Sequence, residues 1–305
     1  MKTAIIGPGA MGCLFAAYLK NGGLDVTLID CSETAAKQIR ANGIQVQGVR
    51  GQLQVPVTIT TDAASLGPVD LVLVWVKAYH TESAMRQHLA LVGRDTAVLS
   101  IQNGMGNTEA LARVVAATQV IGGSTTMGAN SLGVGQVHHA GEGDTFIGEL
   151  DGGLSPRVQD IAQRLSAAGI KVECQTNISG LIWKKLLVNV GINALTAILG
   201  VKNGVLAEIE PARRLLAAAV KEGIDAARGQ GHVFDEAALI ALVEDVARRT
   251  AQNRSSMLQD IESGSKTEID YINGAIARLG DYPVNQTLCD LTHVIETSAG
   301  EKHEN

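Results

Sequence analysis

Three glycines near the start of the chain, Gly7, Gly9 and Gly12, constrain the fold more than any other feature of the sequence. They form a G-x-G-x-x-G pattern between an apolar run, residues 3–6, and a helical pattern, residues 10–21. At a strand-turn-helix junction the first glycine permits a tight turn, the second lets a phosphate approach the backbone, and the third lets the helix pack on the strand. The helix N-terminus then attracts negative charge. The pattern therefore predicts a turn that binds a dinucleotide pyrophosphate, rather than a glycine turn that merely packs well. The predicted binding residues are Gly7, Pro8, Gly9, Ala10, Met11 and Gly12.

An acidic residue, Asp30, ends the second predicted strand. It lies close to the offset of roughly 20 residues at which a carboxylate accepts hydrogen bonds from an adenosine ribose. Such a carboxylate would repel a 2′-phosphate, so Asp30 favours NAD over NADP. Two alternatives remain open. In the first, Asp30 does not bind a ribose and is only a strand-end acid before the helix cap at Ser32. In the second, the chain is a methyltransferase, since these enzymes place an acid at the same point, although they usually lack this glycine spacing and a helical second half.

The order of elements predicts an α/β fold with two domains. The first half alternates β-branched runs with helical patterns, which is typical of βαβ units around a doubly wound parallel sheet. After Thr176 the strand signals end and long helical patterns follow. We therefore predict a Rossmann-type dinucleotide-binding domain over residues 1–175 and an all-helical substrate-binding domain over residues 176–305. The predicted strands are 3–6, 25–29, 70–76, 96–100, 119–122 and 170–174, and the predicted helices are 10–21, 33–42, 80–92, 107–117, 155–168, 178–199, 210–229, 235–262, 268–279 and 286–298.

Two further segments predict antiparallel additions to the first half. Residues 44–60 alternate apolar and polar side chains around Gly48 and Gly51, which predicts a β-hairpin inserted into the doubly wound order. Residues 134–149 predict a second antiparallel addition.

Composition favours a small-molecule partner. The formal charge is −6, and the sequence contains no cluster of Lys and Arg of the kind that binds nucleic acid. The first residues lack the features of a signal peptide. No stretch comes near the roughly 20 apolar residues that a membrane span needs. The four cysteines are scattered, which gives no support to a metal site or a disulfide frame. We therefore expect a cytoplasmic protein.

Polar residues form a stripe on the apolar pattern at 178–199. Lys185, Asn189 and Asn193 follow one another at steps of four, so they share one helix face. Asparagine is a poor helix former, and two on one stripe are costly unless they bind something. A lysine in a half-buried cleft loses its proton below the usual pKa of about 10.4 and can serve as a general acid. Alternatively, the lysine reaches water beside two asparagines that cap neighbouring backbone.

Other polar residues are weaker candidates. Lys77 and Asn103 follow predicted strands, where a doubly wound sheet presents its ligand-binding loops. Ser255, Ser256 and Glu268 flank predicted helix ends, where such residues are most often caps.

Four segments together resemble the ketopantoate reductase (2-dehydropantoate 2-reductase) family over nearly the whole chain. They are GPGAMG at 7–12, NGMGN at 103–107, KLLVNVGINALTAI at 185–198 and SSMLQDIESGSKTEIDYING at 255–274. The resemblance implies a Rossmann-type domain followed by a helical domain, and the reduction of ketopantoate to D-pantoate in pantothenate biosynthesis, usually with NADPH.

The resemblance also implies roles for individual residues. Lys185 matches the catalytic proton donor, and Asn103 matches the residue that contacts both nicotinamide and substrate. The positions that match substrate-binding residues are Asn189, Asn193, Asn203 and Ser256. The positions that match further active-site and cofactor contacts are Lys77, Ala129 and Glu268.

One departure from the family concerns the cofactor. Members that use NADPH commonly have an arginine after the second strand, whereas this chain has Asp30 and Cys31, so NAD(H) stands beside NADP(H) as an expectation. Lys37 or Arg40 would have to reach back from the next helix to bind a 2′-phosphate. Two other functions remain open: an NADH-dependent D-2-hydroxyacid dehydrogenase of the same superfamily, and a dinucleotide-sensing protein without turnover. The apolar helical faces also leave a homodimer open.

Overall fold

The structure is a computed structural model that describes residues 1–303, with the side chains of residues 1–298. Contacts between Cα atoms divide the chain into two compact units. The first comprises residues 1–102 and 107–181, and the second comprises residues 103–106 and 182–305. The α/β class, with a Rossmann-type sheet and a helical C-terminal half, is confirmed. The functional boundary after residue 175 remains a prediction.

The first unit contains all the strands among the described residues. Most predicted strands match observed ones to within about two residues, because short β-branched runs between glycines and polar residues have few alternatives when both faces are buried. The observed strands are β1 (Lys2–Ile6), β2 (Asp25–Ile29), β3 (Ile44–Gly48), β4 (Gly51–Val55), β5 (Thr58–Thr60), β6 (Leu71–Val74), β7 (Ala97–Ser100), β8 (Val120–Thr125), β9 (Gly128–Gly133), β10 (Gln136–Gly141), β11 (Thr145–Glu149) and β12 (Val172–Cys174).

Eight of these strands form the main sheet, in the order β12-β11-β8-β7-β6-β1-β2-β5. All neighbouring pairs are parallel except β11 and β8, which are antiparallel. The strand order reverses between β1 and β6. In open parallel sheets the ligand binds at such a reversal, beside the carboxyl ends of the strands. The glycine turn follows β1 and therefore lies at this point.

Two helices of the first unit begin at side-chain caps. Ser32 accepts a hydrogen bond from the backbone N–H of Ala35, and Ser155 accepts one from that of Val158. The helical segments predicted at 80–92 and 107–117 are wrong in length, because each breaks into a short α-helix and 3-10 turns. The helices are α1 (Ala10–Asn21), α2 (Glu33–Asn42), α3 (Thr81–Gln87), α4 (Asn107–Ala112) and α5 (Pro156–Ala167).

The hairpin predicted within residues 44–60 is confirmed, because β3 and β4 pair antiparallel, and the segment 134–149 is antiparallel as predicted, because β10 pairs with β9 and β11 with β8. The sequence does not predict the parallel pairing of β3 with β10, which joins the two hairpins into a separate four-stranded sheet. Only β5 and β11, which flank the hairpins, enter the main sheet. The inner face of the small sheet buries Ile44, Val46 and Val137 in the same core as α1.

A buried polar contact also attaches the small sheet to α1. The Tyr18 hydroxyl and Nδ1 of His139 are 2.7 Å apart, and Nε2 of His139 is 3.0 Å from the carbonyl oxygen of Gly141. Because a carbonyl only accepts, Nε2 carries the proton and Nδ1 accepts from Tyr18. Burial lowers the pKa of His139, which keeps the ring neutral.

The second unit is helical throughout its described residues. The helix predicted at 235–262 is wrong, because the chain leaves the helix at Thr250 and starts another after Ser255. Backbone N–H groups of Asn203 and Gly204 donate to the carbonyls of Asn253 and Ala251 in this break. The segment predicted as a helix at 268–279 contains a 3-10 turn, Ile269–Tyr271, before a short helix. The helices are α6 (Ile178–Leu199), α7 (Gly204–Glu208), α8 (Glu210–Gly229), α9 (Glu236–Arg249), α10 (Ser256–Glu262), α11 (Asn273–Ala277) and α12 (Pro283–His303).

Helix α6 is long and apolar enough to cross a membrane by length and composition, contrary to the expectation that no stretch comes near this limit. However, 61 % of its most apolar stretch is buried. Its apolar residues belong to the core of the second unit, where Leu186, Leu187 and Val190 are each at most 1 % exposed. A central core helix passes the same test as a membrane span.

Candidate functional site

The glycine turn has the geometry that a bound phosphate requires. Gly7 has φ of +98°, a conformation that side chains with a Cβ rarely adopt, and a Cβ there would lie 2.8 Å from the backbone nitrogen of Val76. A Cβ on Gly12 would collide with the carbonyl oxygen of Gly7. A Cβ on Gly9, in contrast, would meet nothing within 4 Å among the described residues. The second glycine therefore leaves open surface, while the other two are required by the packing of the turn.

The start of α1 is suited to an anion. Gly9 is its N-cap and offers no side chain to the first backbone N–H groups, and the described first turn contains no acidic residue. These N–H groups need partners, and the helix dipole favours negative charge at this end. The residues of the turn thus fit a pyrophosphate group.

Asp30 lies directly after β2, partly buried, with its carboxylate accepting a hydrogen bond of 3.1 Å from the backbone N–H of Ser32. Arg40, one of the two cations on the helix after β2, is engaged elsewhere. It donates to Glu33 at 3.1 Å and to the carbonyl oxygen of Ile59 at 3.1 Å. Lys37 is exposed on α2. The residue directly after β2 therefore presents a carboxylate.

A hydrogen-bond network that the sequence did not reveal fixes the loops after β6 and β7. The side-chain amide of Gln102 donates to the carbonyl oxygen of Val76 at 2.6 Å and to the Thr81 hydroxyl at 2.9 Å, and its oxygen accepts from Ser100 at 2.8 Å. Thr81 in turn donates to Asn107 at 2.9 Å. The network holds the chain next to Lys77 and next to Asn103. The sequence signal that could have indicated Gln102 is its position, because it follows a predicted strand and immediately precedes NGMGN.

Two other predicted cofactor contacts belong to the first unit. Lys77 is partly buried and starts the 3-10 turn Ala78–His80. Ala129 is partly buried in β9, opposite His139 of β10. Their roles in cofactor binding stay predictions.

The second unit brings Lys185 and Glu268 under each other's electrostatic influence. Lys185 is partly buried on α6, and Glu268 is 7 % exposed just before the 3-10 turn Ile269–Tyr271. Desolvation by burial lowers the pKa of Lys185 to about 8, and the negative charge of Glu268 opposes this shift. Lys184, the adjacent residue, is exposed. Of the two lysines, Lys185 therefore has the environment of a general acid.

Two asparagines share the helix face of Lys185. Asn193 is 6 % exposed and Asn189 is partly buried, and their side-chain amides form no hydrogen bond with any described residue. Buried amides usually have partners, since leaving them without one costs about 1–3 kcal/mol. The stripe thus offers two polar groups that remain available to a ligand.

Asn203 differs from these two asparagines. Its Nδ2 donates to the Thr250 hydroxyl at 2.9 Å, and its buried Oδ1 accepts no hydrogen bond among the described residues. It stands at the start of α7 and helps hold the break between α9 and α10. Its role in substrate binding stays a prediction.

The structure separates the two neighbouring serines. Ser255 is the N-cap of α10, accepting from the backbone N–H of Leu258 at 3.1 Å, and Thr196 of α6 donates to it at 2.7 Å. Ser256, in contrast, is exposed in the first turn of α10. Ser255 therefore has the structural role, and Ser256 remains the candidate for substrate binding.

Asn103 belongs to the second unit by its contacts, although it follows a strand of the first. Gly104 has φ of +82°, and a Cβ there would lie 2.7 Å from the carbonyl oxygen of Tyr271. The backbone N–H of Met105 donates to the same oxygen at 2.8 Å. The glycine thus lets the segment 103–106 approach the turn that follows Glu268.

No metal centre accompanies these residues in the part of the chain that the structure describes, which contains no group of three or more His, Cys, Asp or Glu able to hold an ion. The four cysteines are free thiols.

Relatives of known name match the chain over nearly its whole length. A 2-dehydropantoate 2-reductase from Halobacterium salinarum is 37 % identical over 97 % of this chain and 99 % of its own. One from Archaeoglobus fulgidus is 39 % identical over 97 % of this chain and 98 % of its own.

Solved structures match the fold equally well. The ternary structure of D-mandelate dehydrogenase with NADH and anilino(oxo)acetate has a TM-score of 0.93 and 31 % identity, covering 98 % of this chain and 99 % of that one. A PanE/ApbA family ketopantoate reductase from Ralstonia eutropha JMP134 has a TM-score of 0.90 and 30 % identity, covering 98 % and 100 %.

Family models also account for both halves. The model described as ketopantoate reductase PanE/ApbA matches residues 3–152, and its C-terminal counterpart matches residues 177–296. With these matches added to the glycine turn and to the Lys185 helix, the chain belongs to the ketopantoate reductase family.

Proposed function

We propose that this protein is a 2-dehydropantoate 2-reductase, which reduces ketopantoate to D-pantoate in pantothenate biosynthesis, with Lys185 as the proton donor. One observation carries the proposal: a lysine with its pKa lowered to about 8 shares a helix face with two asparagines whose amides have no partner among the described residues. The names of the relatives support the same reaction.

A nicotinamide dinucleotide, when bound, supplies a hydride to the keto carbon of the substrate. The chain's own contribution is to manage the negative charge that develops on the carbonyl oxygen. The Nζ ammonium of Lys185 stabilises that charge and donates a proton to the oxygen. A pKa of about 8 leaves most of the Lys185 side chains protonated at pH 7 while making the proton easier to release than from an ordinary lysine. The negative charge of Glu268 raises the pKa of Lys185 against the effect of burial, and so increases the fraction of Lys185 that is protonated and able to donate.

The substrate carries a carboxylate, a ketone and a hydroxyl, and amides can donate to or accept from each of them without adding charge. We assign this role to Asn189 and Asn193, whose amides remain available. The other proposed substrate contacts, supported by the family resemblance alone, are Asn103, Asn203 and Ser256.

For the cofactor, we propose that NADH serves at least as well as NADPH. Asp30 lies directly after β2, where a carboxylate binds ribose hydroxyls, and Arg40 is already paired with Glu33. The remaining proposed cofactor contacts are Gly7, Pro8, Gly9, Ala10, Met11, Gly12, Lys77, Asn103, Ala129 and Glu268. A cytoplasmic location and a homodimer stay predictions from the sequence.

A substrate and cofactor matrix tests both parts of the proposal. Purified protein is assayed with ketopantoate and with other branched or aromatic 2-oxo acids, each with NADH and with NADPH, by the absorbance of the reduced nicotinamide. The highest kcat/KM should belong to ketopantoate. A higher value for an aromatic 2-oxo acid would instead assign the protein to the D-2-hydroxyacid dehydrogenases, and a strong preference for NADPH would overturn the role of Asp30.

The role of Lys185 is tested by the Lys185→Ala variant. Its turnover should fall by roughly 10²-fold or more, which is the usual loss when a general acid is removed, while the Kd for the cofactor stays unchanged. Lys184→Ala is the matched control, because Lys184 is adjacent and exposed, and it should keep its turnover. Equal activity of the two variants would refute the assignment.

A further inference from the structure

The segment that carries Glu268 is held in place from α12. On one side of Glu268, the backbone N–H of Thr267 donates to Oε1 of Glu296 at 2.7 Å. On the other side, the backbone N–H of Tyr271 donates to the Glu268 carbonyl oxygen at 2.9 Å and closes a 3-10 turn. Ile269 and Ile272 of this turn are at most 1 % exposed. Glu268 therefore sits in a short, anchored turn whose position depends on its neighbours.

Asn273, at the end of this turn, connects it directly to α6. The side chain is fully buried, and its Nδ2 donates to the carbonyl oxygen of Val190 at 3.1 Å. Val190 lies on α6 between Lys185 and Asn193, next to Asn189. The same Nδ2 donates to Oδ1 of Asn285 at 2.9 Å. One amide thus joins the Glu268 turn, the Lys185 helix and α12.

Asn285, its partner on α12, is itself fixed on α8. Its Nδ2 donates to the carbonyl oxygen of Ala219 at 3.1 Å and to Glu222 at 2.8 Å. Glu222 also accepts from the backbone N–H groups of Val284 and Asn285, each at 2.9 Å. Asn273 is therefore attached to a rigid frame rather than to a mobile side chain.

The cost of this arrangement points to a positional role. Oδ1 of Asn273 is buried and accepts no hydrogen bond from any described residue. A buried polar atom without a partner costs desolvation free energy, and an apolar side chain of similar size would avoid that cost. Asn273 therefore contributes less to net stability than its hydrogen bonds alone suggest.

We propose that Asn273 is a positioning residue for the reaction, whose amide holds the Glu268 turn against α6 and so sets how strongly the Glu268 carboxylate acts on the Lys185 ammonium. The proposal rests on the proposed function only in taking Lys185 as the proton donor. Without the amide, the turn loses its bond to α6 and the two charges separate. At an effective dielectric constant of about 20, moving two charges from ~5 Å to ~6 Å apart weakens their attraction by the equivalent of ~0.4 pKa unit.

The test measures the pKa of Lys185 in Asn273→Leu without any need for catalysis. The acetylation of Lys185 by acetic anhydride, which reacts with the neutral amine, is followed as a function of pH by peptide mass spectrometry. The pKa should fall below the wild-type value of about 8, because Glu268 raises it. The basic limb of the pH profile for ketopantoate reduction should move to lower pH by the same amount. An unchanged pKa of Lys185 in the folded variant would overturn the proposal.

Two other variants keep the result interpretable. Thr292→Val is the control for a buried polar loss, because Thr292 is fully buried on α12 and, among the described residues, donates only to Leu288 of its own helix at 2.8 Å. It should leave the pKa of Lys185 unchanged, and a shift as large as that of Asn273→Leu would count against a specific role. If Asn273→Leu does not fold, Asn285→Ala, which removes the acceptor for Asn273, should give a smaller shift in the same direction, and no shift there refutes the proposal.

The two proposals fail in different ways. If wild-type protein does not reduce ketopantoate but the pKa of Lys185 shifts, then the proposed function is wrong and the positioning role stands. If it reduces ketopantoate and the pKa does not shift, then the positioning role is wrong.

Discussion

Replacing Lys185 by methionine tests the electrostatic basis of the site, because the change removes the charge and keeps an unbranched side chain of similar length. Burial lowers the pKa of Lys185 from 10.5 to about 8 in the folded protein. In the unfolded chain the lysine keeps its usual pKa of about 10.4. The folded protein therefore binds fewer protons than the unfolded chain between these pH values. At about 1.36 kcal/mol per pKa unit, the charged lysine destabilises the fold at pH 7 by on the order of 3 kcal/mol.

The sign of the pH dependence follows from the same numbers. Below pH 8 the lysine is charged in both states, so the full destabilisation is present. As the pH rises from about 8 to about 10.5, the folded protein holds a neutral amine and the destabilisation disappears. Lys185→Met should therefore be more stable than wild type at pH 7 and approach it at the upper end of this window, while its turnover is lost.

Urea unfolding of matched proteins at pH 7, 9 and 10.5 measures this difference. Lys184→Met is the control, because Lys184 is exposed on the same helix, and its free energy of unfolding should stay within about 0.5 kcal/mol of wild type. The reasoning is refuted if Lys185→Met gains no stability at pH 7, or if its gain is the same at all three pH values.

Three further predictions follow from the site. The rate constant for reduction should fall about tenfold from pH 7 to pH 9 in single-turnover kinetics, because a Lys185 pKa of about 8 takes the protonated fraction from ~0.9 to ~0.1; a flat profile would contradict its role as acid. Gly9→Val should fold normally, since its Cβ meets nothing within 4 Å among the described residues, but should weaken NADH binding by at least about tenfold in calorimetry. Unchanged affinity would argue against a phosphate at this turn. Ser255→Ala should lower the free energy of unfolding by ~1 kcal/mol, because it removes the helix cap and the contact with Thr196. Ser256→Ala should leave the free energy of unfolding unchanged and raise the KM for ketopantoate. The reverse pattern would exchange the roles of the two serines.

The features that the sequence predicts well are those set by local chemistry. The glycine spacing fixes the turn after β1, and the apolar runs fix the buried strands. The helix predicted at 178–199 coincides with α6, and that at 210–229 coincides with α8. The Lys185 stripe is equally local, because steps of four residues place side chains on one face of any α-helix.

Features that depend on distant partners escape sequence reasoning. The alternation in residues 44–60 indicates a hairpin but not its pairing with β10. A period of two determines which side chains share a face of a sheet, and it does not determine which strand lies alongside. The break after α9 depends on Ser255, whose role as a cap is reinforced by Thr196 of another helix. Asn273 looks like an ordinary polar residue in the sequence, since its partners lie on α6 and α12.

The small sheet has a consequence for the order of folding. Each of its hairpins is local, and isolated hairpins form within microseconds. The parallel pairing of β3 with β10, however, joins segments that are separated by residues 49–135. Closing such a long loop costs conformational entropy before the hydrogen bonds of the pairing can form. The intervening strands β6, β7 and β8 shorten that distance only after they have entered the main sheet. In pulse-labelled hydrogen exchange, the β3 and β10 amides that bridge the two hairpins should therefore become protected after the amides of β6 and β7. The pairing of β3 with β10 would then be a late step in the folding of the first unit.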